Sequence, residues 1–232
     1  MRIIARFNKE QGVRFVSHLD VQRLFQRAFR RADIPVAYSN GFNPHQQLSF
    51  ATALTVGATS SAEWLDIKLD REMTSEEFTR RVNEVLPRGF SIAEAFPADD
   101  RYPSLSAVMA AAEYTLSLKF FEDVRGAEVS GAIQKLLSDS IVVLKKTKAG
   151  MKNVDIRPMV YSMEFSAIAG ENFIITLAGR LDAAGGLNAD LLLGAFKGII
   201  GKEFCAAIHR ETIYSSDGAF MPKAPAGYPI QA

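Results

Sequence analysis

Two short segments collect the residue types that could do chemistry. Arg14-Phe15-Val16-Ser17-His18-Leu19-Asp20 reads as the opening of a helix. Asn40-Gly41-Phe42-Asn43-Pro44-His45-Gln46-Gln47-Leu48-Ser49-Phe50 reads as a polar loop running into a strand. Together they hold two of the three histidines, His18 and His45. The positive end of a helix disfavours an imidazolium in the first turn. A neutral His18 would exchange hydrogen bonds with a ligand or act as a general base. His45, beside Pro44, would stack on a base or touch a phosphate, with Asn40 and Asn43 as polar neighbours. Loops on rigid scaffolds carry function more often than core elements do. The plainer alternative stays open for both histidines, a ring satisfied by local backbone. His209 reads as an ordinary strand residue.

Basic residues form two further groups. Arg23, Arg27, Arg30 and Arg31 recur at helical spacing opposite an apolar face, a stripe able to meet phosphates. Asp20 opens the same helix. The alternative is a solvated face whose late arginines suit the negative helix end. The second group is the loop Lys145, Lys146, Lys148 and Lys152, either a phosphate contact or a solvated hairpin loop. Asp155 and Arg157 follow on one side of an extended chain and would brace it by pairing. Arg157 joins the basic candidates. Tyr38 and Phe42 flank the polar loop, as core residues or as a stacking wall.

Composition narrows the classes. Net charge is +1, but residues 1–60 carry 8 Lys and Arg against 3 acids, whereas residues 61–110 carry 6 against 10. Such asymmetry permits a local anionic partner without a basic protein. One cysteine, Cys205, rules out a disulfide framework and a cluster held by several thiolates of this chain, and we expect no disulfide-linked partner. No HxH, HxxxH or HExxH spacing suggests a metal, and we expect neither metal nor cofactor. P-loop, GxGxxG and Gly-x-Ser-x-Gly patterns are absent from the sequence. No apolar run approaches the roughly 20 residues that span a bilayer. The start, Met1-Arg2-Ile3-Ile4-Ala5-Arg6-Phe7, lacks the apolar core of a signal peptide. The expectation is a cytoplasmic protein without a membrane partner.

The elements that would position these residues follow from periodicity. Residues 2–8 alternate as a strand, and Val13 to Val16 reads as a second extended piece. Ser17 is a good N-cap with Asp20 three residues on. Pro35 ends the helix. Strands follow at Leu48–Leu54 and Glu63–Leu69, a helix at about 74–86, and a strand at Phe90–Phe96. The order is β-α-β-β-α-β, a ferredoxin-like split unit. The order then repeats with one extra strand. The expected fold is α+β, two tandem ferredoxin-like units with antiparallel sheets over residues 1–98 and 112–215. Residues 216–232 would be a flexible Pro-rich tail.

Several motifs resemble those of the radical-SAM-linked family DUF2344. They are Arg14 to Asp20, Gly41-Phe42-Asn43-Pro44-His45, Leu48-Ser49-Phe50, Ala53-Leu54 with Gly57, Glu63-Trp64-Leu65-Asp66, and Asp155-Ile156-Arg157-Pro158. The similarity runs in matching order over about residues 1–215. Gln46 and Thr55 depart from it, where proline is expected in many relatives. The resemblance implies an accessory partner of a radical SAM protein in an RNA or ribosome setting, and transfers no catalytic residue. Radical SAM chemistry needs three closely spaced cysteines, which this chain lacks. Three functions compete. One is RNA binding in a cleft between the two units. The second is a metal-independent endoribonuclease using His18 or His45. The third is a docking domain for a radical SAM enzyme.

Overall fold

The computed structural model describes residues 1–147 and 150–229. In chain order the elements are β1 (Arg2–Lys9), α1 (His18–Arg31), β2 (Leu48–Phe50), β3 (Thr59–Lys68), α2 (Ser75–Asn83), β4 (Phe90–Ala98), α3 (Leu105–Val108) and β5 (Met109–Phe120). There follow α4 (Gly126–Leu137), β6 (Val142–Thr147), β7 (Gly150–Asp155), β8 (Val160–Ala169), β9 (Asn172–Asp182), β10 (Gly185–Gly186), α5 (Ala189–Ile200) and β11 (Phe204–Ser215). Two compact units result. Unit 1 is Met1–Met109 with Arg210–Lys223, and unit 2 is Ala110–His209 with the segment from Ala224 on.

Unit 1 has the ferredoxin-like strand order β4-β1-β3-β2, with β11 also on β3. β1 runs antiparallel to both β3 and β4. Alternation along β1 sends Ile3, Ala5 and Phe7 to one face, where they meet Leu65 and Ile67 of β3. Helices α1 and α2 cover that face with Val21, Phe25, Phe29, Phe78 and Val82, all 5% exposed or less. The rings of Phe7 and Phe25 meet edge to face at 4.8 Å, a pairing worth about 1 kcal/mol beyond area burial. In unit 2 the order is β8-β9-β5-β11, with β10 on β9 and α4 and α5 in the helical layer. Its core includes Leu116, Leu118, Val129, Ile175, Leu192 and Phe196, all fully buried. The α+β class with ferredoxin-like strand order therefore holds in each unit.

Several local expectations change. Val13 to Val16 is no strand. Gln11–Val13 forms a 3-10 turn and the chain then runs irregularly to Ser17, for a reason that the site explains. β2 stops at Phe50, three residues long rather than seven. The basic segment near residue 150 is a two-stranded sheet of β6 and β7 rather than a loop, so unit 2 carries an inserted hairpin, not one extra strand. Lys148 lies outside the described residues. After β11 the chain folds back on unit 1: Met221 is 1% exposed, Phe220 packs on Phe96 and Tyr102, and the Ser215 N–H donates to Pro222 O at 2.9 Å. Apolar Phe220 and Met221 outweigh the prolines that suggested a loose tail.

Candidate functional site

The segment before α1 is shaped from beneath by a buried cation. The inward row of β1 continues past Phe7 to Lys9, which is 2% exposed. Its ammonium donates to the carbonyls of Arg14 (2.9 Å) and Val16 (3.0 Å). Those bonds pull the chain into a bend and prevent the extended conformation. Burial pushes the Lys9 pKa below its usual value, with the Glu63 carboxylate opposing the shift. Glu63 is itself 4% exposed and accepts from Arg210 at 2.8 Å. A buried charge needs such partners, because an isolated one is very costly to desolvate.

Two glycines complete the bend. Gly89 has a φ of +93°, and a Cβ there would come within 2.9 Å of both Val13 methyl carbons. Gly57 has a φ of +94° and donates its N–H to Arg14 O at 2.8 Å. With its backbone tied on both sides, the segment turns Phe15 outward to 68% exposure. The Arg14 guanidinium lies 4.3 Å from the Phe15 ring centroid, a cation–π arrangement. Leu19 and Val56 are also exposed, at 61% and 54%.

Helix α1 begins at the Ser17 cap, whose side chain accepts from the Asp20 N–H. The Ser17 hydroxyl also donates to the Asp20 carboxylate at 2.7 Å and holds its pKa below the usual carboxylate value, with Arg23 assisting. His18 is half-buried, its ring 5.6 Å from Phe50 in an edge-on contact. The Gln22 amide nitrogen is 3.1 Å from His18 Nε2. With the amide in this orientation its NH2 donates and Nε2 accepts. Burial pushes the His18 pKa down, with Glu63 opposing. Arg23, Arg27, Arg30 and Arg31 are all exposed. Arg23 shares Asp20 at 3.4 Å, and the other three make no ion pair among the described residues.

The polar loop is a closed excursion. A β-bridge joins Tyr38 to Gln46, and residues 40–45 are exposed. The Ser39 hydroxyl accepts the His45 N–H at 3.1 Å and lies 2.8 Å from Nδ1. Gln46 is buried and reaches Gln26 O at 3.4 Å, fastening the loop to α1. Phe42 stands at the loop with its ring wholly exposed, at 111%.

Arg14, His18, Asp20, Arg23 and Arg27 thus come together on and before α1, with Asn40, Asn43 and His45 on a loop tied to that helix. The two histidines line different cavities. His18 lines a narrow crevice with Lys9 and Glu63, whereas His45 lines a hollow of about 350 Å³ with Arg2, Asp66, Lys68 and Asp100. Lys145, Lys146 and Lys152 are on the inserted hairpin of unit 2. Arg157 and Asp155 do not pair as expected. Asp155 accepts the N–H groups of Ile141 and Arg157, and Arg157 donates to Leu137 O and Val160 O. Lys9, Glu63 and Arg210 were not among the expected site residues. The signal for two of them is register. Lys9 extends the row Ile3, Ala5, Phe7, and Glu63 precedes Leu65 and Ile67 on theirs. Among the described residues no group of three metal-ligating side chains occurs, and no helix is long and apolar enough to cross a membrane.

Comparison with known proteins agrees with this fold. No curated protein sequence matches the chain. Among solved structures, a chain of a Cbf5-Nop10-Gar1 complex matches 91% of this one with a TM-score of 0.53 and 11% identity. A chain of an H/ACA RNP bound to a substrate RNA containing 2'-deoxyuridine matches 90% with a TM-score of 0.50 and 10% identity. This chain spans just under half of those chains, 48% and 46%. At such identity the likeness is one of fold. The sequence model of an uncharacterized protein family conserved in bacteria, DUF2344, matches residues 2–185, and the chain belongs to that family.

Proposed function

We propose that this DUF2344 protein binds RNA through the α1 side of unit 1. The observation that supports the reading is the company of the arginine stripe. Arg27, Arg30 and Arg31 are exposed and make no ion pair among the described residues, and unit 1 also leaves the rings of Phe15 and Phe42 in solvent. Arginines without partners attract phosphates and release counterions on binding. Exposed aromatic rings give bases a stacking surface, worth about 1–3 kcal/mol per base. Phe15 under Arg14 and Phe42 at the polar loop are those surfaces. Asn40, Asn43 and His45 would meet a base or ribose beside Phe42, and His18 would serve as a neutral hydrogen-bonding group. One fold neighbour comes from a ribonucleoprotein solved with a substrate RNA, which is a fact about that assembly and gives the reading context. In this reading the chain is an accessory protein that presents RNA to a separate radical SAM enzyme.

Ultraviolet cross-linking of the native protein to cellular RNA tests the reading. The bound RNA is sequenced and the cross-linked peptides are mapped. An enriched RNA species with cross-links in residues 14–31 and 38–45 is expected. Recovery of no RNA, or cross-links confined elsewhere, would overturn it.

A further inference from the structure

We infer that the inserted hairpin of unit 2 carries a phosphate clamp made of Lys145 and Lys152, and that it grips the RNA backbone. The inference deepens the RNA reading above and rests on it for the identity of the phosphate. It comes from strand register. β6 and β7 pair antiparallel with Val142 opposite Asp155, Leu144 opposite Asn153, Lys145 opposite Lys152, and Lys146 opposite Met151. Residues directly opposite share a face of the ribbon, so Lys145 and Lys152 stand side by side on one face. Lys146 stands on the other, with Val142, Leu144 and Met151, which are 57–60% exposed.

Like charges directly opposite on a hairpin are destabilising, and their Cβ atoms start only about 5 Å apart. Elsewhere the chain neutralises many of its lysines: Lys68 with Asp100, Lys119 with Glu171, Lys197 with Glu203, Lys202 with Glu122. Lys145 and Lys152 make no ion pair among the described residues. The nearest acid in the hairpin, Asp155, is across from Val142 on the opposite face and is occupied by two backbone N–H groups. Two flexible ammonium groups rooted this close converge on one anion. A phosphodiester is that anion in an RNA ligand, and it removes the repulsion that the free hairpin retains.

The register makes the test specific, because Lys146 is adjacent in sequence but on the wrong face. RNA binding by the full chain is measured for Lys145→Gln, Lys152→Gln, the double variant and Lys146→Gln. Each of the first two is expected to lose affinity several-fold. The double variant should lose little more than either single one, because both lysines serve one phosphate, and its salt slope should fall by about one. Lys146→Gln should bind as the parent does. Equal losses at Lys146, multiplying losses, or no loss at all would overturn the clamp. Thermal melting guards against misfolding: relief of repulsion predicts an unchanged or higher Tm. A pyrophosphate titration followed by NMR of the lysine side chains separates this claim from the RNA reading. Signals of Lys145 and Lys152 shifting together, without Lys146, support the clamp even if RNA does not bind. Absence of that paired shift overturns it even if RNA binds elsewhere.

Discussion

Lys9 donates from its buried ammonium to the Arg14 carbonyl at 2.9 Å, so a core residue of β1 sets the conformation of the segment that exposes Phe15. The exposed ring is therefore a consequence of a charge placed inside, and disturbing that charge should disturb the surface. Lys9→Met fills the same space without the donor and leaves the Val16 carbonyl without its bond. Hydrogen bonds to charged groups contribute about 1.5–3 kcal/mol each. We expect a loss of about 2 kcal/mol or more in denaturant unfolding, together with weaker RNA binding.

The Glu63–Arg210 pair has both side chains 5% exposed. Breaking one partner leaves a buried uncompensated charge, which costs about 3–5 kcal/mol. Glu63→Leu and Arg210→Met should each be severe, whereas the double variant should recover much of the loss. A double-mutant cycle on unfolding free energies checks this, and simple additivity would contradict it.

Gly89 meets two constraints at once, its positive φ and the close approach of Val13. Gly89→Ala should destabilise unit 1 by more than about 1 kcal/mol. Adding Val13→Ala removes the clash but not the φ strain, so it should recover only part of the loss in thermal melts.

His18 has a pKa depressed by burial from its ordinary 6.5. A group whose folded pKa is lowered binds fewer protons when folded than when unfolded. Its contribution to stability is then complete above pH 6.5 and disappears as pH falls through the folded value. Tm should decline on acidification below pH 6.5, and His18→Gln should flatten that part of the profile. An NMR titration of the ring should report a midpoint below 6.5.

Phe42 touches little of the protein, so Phe42→Ala should leave stability within about 0.5 kcal/mol. If the ring stacks on a base, binding should weaken by about 1–3 kcal/mol in the same variant. Isothermal titration beside a melting curve separates the two effects.

Much of this was legible in the sequence. Ser17 as N-cap, the apolar face of α1, and both β-α-β-β-α-β orders follow from local pattern, and the structure has them. The errors lie where long-range contacts override local preference. Val13 to Val16 looks extended, but the Lys9 side chain and the distant Gly57 N–H bend it. Asp155 and Arg157 look like a pair, yet backbone groups nearer to each take them. The strand pairing of β6 with β7 has no period-2 pattern in Val-Val-Leu-Lys-Lys-Thr, and the clustered lysines there suggest a loop. Lys9 and Glu63 stand on inward rows, so register alone would have marked them as buried, whereas Arg210 had no such local sign.

Salt dependence of RNA binding tests the central claim most directly. The logarithm of the association constant is measured against the logarithm of salt concentration for the parent and for Arg27→Ala/Arg30→Ala/Arg31→Ala. If the stripe meets phosphates of single-stranded RNA, each lost contact lowers the steepness of the line by about 0.7. The triple variant should therefore show a slope shallower by about two, with weaker binding at low salt. An unchanged slope and affinity in the triple variant, or no RNA binding by the parent at low salt, would contradict the account.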